Sequence, residues 1–106
     1  HLIEGVPVAP GVAVGQAIVI RNLEDLQQIG PDSILICSRM SPAYSIAFQM
    51  VRGIISEWGG ILSTAVTVTR ENGLPVVTGA RSAQRIISVG DLFKINGSDG
   101  SVQIIF

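Results

Sequence analysis

A chain of 106 residues with a net charge of −1 has room for one core, and it carries no basic field to draw nucleic acid or an anionic membrane. Hydrophobic residues make up 47% and charged residues only 14%, against a typical ~25% charged, so other domains or a second copy are expected to cover part of the surface. No apolar run reaches the ~18 residues that span a bilayer, no basic leader precedes one, and the single Cys37 admits no internal disulfide. The expectation is one domain, residues 1–106, cut from a larger cytoplasmic chain.

Val6 to Gly11 is extended and turn-rich. Val12 to Ile20 predicts a strand by its partial alternation, with Gly15 as a candidate bulge. Asn22 predicts the cap of a short helix through Ile29, with Glu24 and Asp25 in its first turn, and Pro31-Asp32 ends it. Ile34 to Cys37 is a short continuous apolar run, the pattern of a strand buried on both faces. Ser41-Pro42 opens a predicted helix with Tyr44, Phe48 and Val51 on one stripe. Gly53 closes that helix, and Ile54-Ile55 begins the next buried strand.

The segment from Glu57 to Thr78 carries the chemistry. Gly59-Gly60 lets backbone approach a ligand with no Cβ in the way. Ser63 and Thr64 follow, and Arg70-Glu71-Asn72-Gly73-Leu74-Pro75 closes the run as a helix C-terminus would. Glycines leading into hydroxyls at a helix start would make an anion site, because free N–H groups and the helix dipole point at it. Ile61 to Thr69 is rich in β-branched residues, so propensity alone favours a strand there. The flanking glycines and the Gly-x-Pro exit favour a helix from about Ser63 to Asn72, which is the expectation. Pro75 to Thr78 is another short apolar strand, and Ser82 to Ile87 one or two helical turns. Asp91 to Ile95 and Val102 to Phe106 flank Asn96-Gly97-Ser98-Asp99-Gly100, a strong hairpin signal.

Gly59-Gly60, Ser63, Ala65, Arg70-Glu71 and Gly73-Leu74-Pro75 stand together in the register of a known signature. The chain resembles the swivelling phosphohistidine domain of phosphoenolpyruvate-utilising enzymes, such as phosphoenolpyruvate synthase and pyruvate phosphate dikinase. Val6 to Gly11 resembles the Ser-Pro-Gly start of those domains, with Ala9 in place of the serine. The resemblance runs from about Gly5 to Phe106. It implies an α/β swivelling fold, a β-sandwich or barrel-like core with two or three helices, one starting at the glycine pair. It also implies neighbours in the same protein: an ATP-binding domain and a phosphoenolpyruvate-binding barrel.

The resemblance breaks at one position. Where the family has its phosphoacceptor histidine this chain has Thr64, and its one histidine is His1. An imidazole with a pKa of ~6.5 offers a neutral nitrogen nucleophile at physiological pH. A threonine hydroxyl is a weak nucleophile without an adjacent base, and its phosphate ester would be a sink, not a relay. Thr64 is therefore the candidate acceptor position, not competent as it stands. Gly59, Gly60, Ser63 and Arg70 are the candidate phosphate contacts.

Each residue also has a plainer reading. Ser63 and Thr64 would serve as helix caps with no ligand at all. Arg70 beside Glu71 would serve as a structural ion pair. Cys37 in an apolar strand reads as an inert core thiol, and Trp58 as an interface residue. One terminal histidine supplies neither a triad nor a metal cluster, so no metal and no cofactor are expected. The expected function is a mobile domain of a phosphoenolpyruvate-synthase-like phosphotransferase, degenerate as a phosphocarrier, with self-association possible. The alternatives are an interaction module without catalysis, or the substrate-contacting swivel domain of a different enzyme.

Overall fold

The computed structural model describes residues 2–38, 47, 50–58, 71, 73–81, 83, 87 and 90–105. They form one mixed sheet of eight strands, in the order β1-β8-β7-β3-β4-β5-β6-β2. The strands are β1 (Leu2–Glu4), β2 (Val6–Ala9), β3 (Val12–Ile20), β4 (Ser33–Cys37), β5 (Gly53–Ser56), β6 (Val76–Thr78), β7 (Leu92–Asn96) and β8 (Ser101–Ile104).

The centre of the sheet is parallel. β3, β4, β5 and β6 pair in sequence order, with Ile20 level with Cys37, Cys37 with Ser56, and Ile55 with Val77. Parallel strands need crossovers that cover both faces, so both sides of each strand must be apolar. All of Ser33–Cys37, Gly53–Ser56 and Val76–Thr78 is buried accordingly. Ala17, Val19, Ile34, Ile36, Ile55 and Val77 face one core, which Phe93, Ile95, Val102 and Ile3 complete. Ile18, Ile20, Leu35, Cys37, Ile54 and Val76 face a second, covered by Ala47, Val51, Leu74, Leu26 and Ile29. β7 and β8 are antiparallel, bury only the first face and send Lys94 and Gln103 to solvent.

The sheet also curls until its edges meet. β1 pairs with β8 at one edge and β2 with β6 at the other, yet only Gly5 separates β1 from β2. Gly5 donates its N–H to the Gly100 carbonyl at 2.8 Å. A Cβ at Gly5 would lie 2.5 Å from the Thr78 carbonyl oxygen and 2.6 Å from Val77 Cγ1. The chain thus steps from one edge of the sheet to the other where only glycine fits.

Several expectations meet their counterparts directly. β3 has the expected bounds, and a 3-10 helix at Leu23–Gln28 is capped by Asn22, whose side chain accepts from the Asp25 N–H at 3.2 Å. Asn96 Oδ1 accepts from the N–H groups of Ser98 and Asp99 and folds the β7–β8 turn. The bulge expected at Gly15 is absent, since β3 and β7 stay in unbroken register from Val12↔Asn96 to Gln16↔Leu92. Gly15 is there because a Cβ would lie 2.5 Å from the Asp32 carbonyl oxygen. The irregularity falls instead between Pro7 and Ala9 in β2. Gly53 begins β5 and does not end a helix. β1 and β2 were not anticipated as strands.

The expected helices at 41–53, 63–72 and 82–87 fall largely outside the described residues. Described of them are a 3-10 residue at Ala47, helical residues at Glu71 and Ala83, and a bond from the Ile87 N–H to the Ala83 carbonyl at 2.8 Å; Met50, Val51 and Arg52 form a turn and bends, so the helix expected over Val51 does not reach it. Among the described residues no helix is long and apolar enough to cross a membrane.

Candidate functional site

In a parallel sheet the carboxyl ends of the strands form the natural binding edge, because the crossovers open there. Here the ends of β3, β4 and β5 are level, so Arg21, Ser38 and Glu57 follow them side by side. Gly79 follows β6 beside them. This rim is the candidate site, and Gly59-Gly60 follows Trp58 in the sequence.

Ser56 is the anchor of the rim. It is fully buried, and its hydroxyl lies 2.7 Å from the Trp58 carbonyl oxygen and 3.2 Å from that of Ser38. Its own carbonyl accepts the Ala80 N–H at 3.3 Å. The Glu57 N–H donates to Cys37 and the Trp58 N–H to Ser38, each at 3.0 Å. The backbone is therefore fixed up to the residue before Gly59.

Glu57 is buried, at 7% exposure, whereas Trp58 keeps 42% of its surface in solvent. Over the Trp58 ring lies the Arg81 guanidinium, 4.6 Å from the ring centroid. Arg81 leaves β6 through a tight turn in which its N–H donates to the Gly79 carbonyl at 3.0 Å. Beneath the rim, burial pushes the Cys37 thiol from 9.0 up to about 12, the Glu57 carboxylate adds to the rise, and the Ser56 hydroxyl opposes it. A thiol held protonated is no nucleophile, so Cys37 is a core residue, in line with its plainer reading.

The far side of the motif returns through Glu71, Gly73, Leu74 and Pro75. Gly73 has φ +68°, the left-handed turn of a helix C-terminus, as its Gly-x-Pro sequence predicts. Leu74 and Pro75 are buried, and the Pro75 carbonyl accepts the Ile54 N–H at 3.0 Å. An apolar cavity of about 370 Å³ opens there, lined by Ala9, Pro10, Gly73 and Leu74. Gly59, Gly60, Ser63, Thr64 and Arg70 lie outside the described residues. Their described neighbours are Trp58 before them and Glu71 after.

A second cleft, of about 390 Å³, lies at the opposite, amino end of the parallel strands and includes Asp32 and Arg52. The Arg52 guanidinium pairs with Asp32 at 2.7 Å and donates to the carbonyls of Val14 and Pro31 at 3.2 and 3.3 Å. These contacts tie the residue before β5 to Val14 of β3 and to Pro31-Asp32 before β4. Sequence reasoning did not single out Arg81, whose meeting with Trp58 depends on β5 and β6 being neighbours.

A mixed sheet whose four parallel strands end on one rim, with Gly-Leu-Pro leading into the last of them, is the architecture of a small α/β domain. Residues 29–100 match the family described as PEP-utilising enzyme, mobile domain. The chain belongs to that family. It is 35% identical over 102 residues, 96% of the chain, to a rifampicin phosphotransferase of Bacillus subtilis, of which it covers 12%. It is 32% identical over 101 residues, 95% of the chain, to a probable phosphoenolpyruvate synthase of Methanothermobacter thermautotrophicus, of which it covers 15%. The chain thus spans about an eighth of the length of these curated relatives. The solution structure of an Enzyme I protein shares the fold, with a TM-score of 0.65 and 23% identity over 76% of this chain and 33% of that one.

Proposed function

We propose that this mobile domain no longer relays phosphate, and that its glycine motif binds phosphate without forming a bond to it. The observation that carries the reading is Thr64, which stands at the acceptor position of an otherwise complete motif while the sole histidine is His1. Gly59, Gly60, Ser63 and Arg70 would hold the phosphate, and Thr64 would cap the helix expected behind it. Partner domains of the same protein, one binding ATP and one a phosphoenolpyruvate-binding barrel, would receive the rim. The share of each relative that this chain covers supports such neighbours.

The test is phosphorylation itself. The chain is incubated with labelled phosphoenolpyruvate and a phosphoenolpyruvate synthase that supplies the barrel, and its intact mass is measured. No acid-labile gain of one phosphate is expected; such a gain would overturn the degenerate reading. Thr64→His should restore the acid-labile adduct, because the other motif residues keep their register. A folded variant that never accepts phosphate would mean that the docking surface, too, has diverged.

A further inference from the structure

Arg52 and Arg81 are used in opposite ways. Arg52 directs its guanidinium donors to two carbonyls and a carboxylate. Arg81 lies over the Trp58 ring, and its side-chain donors make no hydrogen bond with any described residue. A guanidinium carries its five N–H donors in its own plane, whereas stacking on an aromatic ring engages only its face. The contact therefore orients the cation without consuming its donors.

The position of the pair is equally specific. Trp58 is pinned by the Ser38 carbonyl on its N–H and by the Ser56 hydroxyl on its own carbonyl. The Arg81 turn is tied to the same serine, through the Ala80 N–H and the Ser56 carbonyl. One buried residue thus fixes both halves of the pair at the carboxyl ends of adjacent parallel strands. Gly59-Gly60 follows Trp58 in the chain. With a net charge of −1 the molecule has no general attraction for anions, so recognition must be local.

We propose that Arg81, held on Trp58, recognises the phosphate dianion of a small ligand brought to this rim. The proposal rests on the phosphate-binding reading above and adds a cation outside the glycine motif. A planar fork suits two phosphate oxygens at once, and a guanidinium already held in place loses little freedom on binding.

Trp58 is the one tryptophan of the chain, so its emission reports on its own cation. The chain is titrated at constant ionic strength with inorganic phosphate and, separately, with phosphoenolpyruvate; pyruvate and chloride serve as controls. Broadening of the phosphorus resonance provides a readout independent of the indole. A saturable response to both phosphates is expected, and tighter binding of phosphoenolpyruvate alone would show that its carboxylate is read as well. Arg81→Gln should weaken binding about tenfold or more, and Arg81→Lys, which keeps the charge but not the fork, by less. Trp58→Phe, followed by phosphorus resonance, should retain most of the affinity.

Unchanged binding in Arg81→Gln would overturn the inference. If Ser63→Ala then weakened binding, the glycine-motif site would stand without Arg81. No saturable response of the wild-type chain by either readout would overturn the phosphate reading and this inference with it. Should Arg81→Gln fail to fold, Arg81→Lys decides: an affinity equal to that of the wild-type chain would overturn the bidentate contact.

Discussion

Cys37 shows how one residue records its surroundings. Its thiol is held up to about 12 chiefly by burial, with the Glu57 carboxylate adding to the rise. In the unfolded chain it would ionise near its ordinary value of 9.0. The folded state binds the proton more tightly, so its stabilising effect is whole below pH ~9 and is lost as pH rises towards ~12, at about 1.4 kcal/mol per pH unit. We predict that urea unfolding between pH 9 and 11 weakens more steeply for the wild-type chain than for Cys37→Ala. A thiol reagent at pH 8 should leave the native protein unlabelled and label it fully in denaturant. Rapid native labelling would mean that the β4 end is open to solvent. The same scale holds a prediction for Thr64→His: a residue at an exposed helix start should shift stability by less than ~1 kcal/mol, mainly through the lost cap. A variant that unfolds would place Thr64 in the core.

Among the elements, the 3-10 helix Leu23–Gln28 illustrates local control. Asn22 accepts from the Asp25 N–H, and the Asp25 carboxylate accepts from the Arg21 N–H at 3.0 Å, a reciprocal arrangement in the manner of a capping box. Asn22→Ala should therefore lower stability by about 1 kcal/mol, read from the urea midpoint. An unchanged midpoint would show that tertiary contacts of Leu26 and Ile29 alone hold the turn. Elements of this kind were legible because their signals are local: a cap with acids behind it, a continuous apolar run at Ile34 to Cys37, an Asn-Gly turn between two strands. β1 and β2 were not, because short strands with Pro7 and an exposed Val6 have no pattern of their own. Partners far along the chain define them, Gln103 for Leu2 and Thr78 for Val6. Gly15 was misread for a related reason, since the carbonyl that demands it belongs to Asp32. Of the candidate site, the glycine motif with Thr64 is an expectation on residues outside the described ones, whereas the Trp58–Arg81 contact, which the sequence does not announce, arises from the register of β5 on β6.

On the scale of the whole molecule, few charges and several exposed apolar side chains coexist. Val6, Val12, Val14, Met50, Trp58 and Ile105 are large and exposed. Val12 and Val14 lie on the stretch of β3 that pairs only with β7. Isolated from neighbouring domains, the chain should self-associate reversibly. Sedimentation at rising concentration should show dimers or larger species, and replacing Val12 and Val14 with Thr should reduce them. A strict monomer that binds no hydrophobic dye would remove the idea.

The crossing at Gly5 bears on the order in which the protein takes shape. Its two flanking strands join residues from opposite ends of the chain, Leu2 to Gln103 and Val6 to Thr78. Such distant pairings carry the largest loop-closure entropy, so they are expected to form after the nucleus and not within it. During synthesis the leading residues must wait, unpaired, until β6 and β8 have left the ribosome, while β3, β4 and β5 are already able to associate. Gly5→Ala should then lower stability by about 1–3 kcal/mol, through the clash with Thr78 and Val77. Most of that loss should appear as faster unfolding with little change in the folding rate. A mutant that folds slowly but unfolds at the normal rate would mean that the two edges of the sheet meet early.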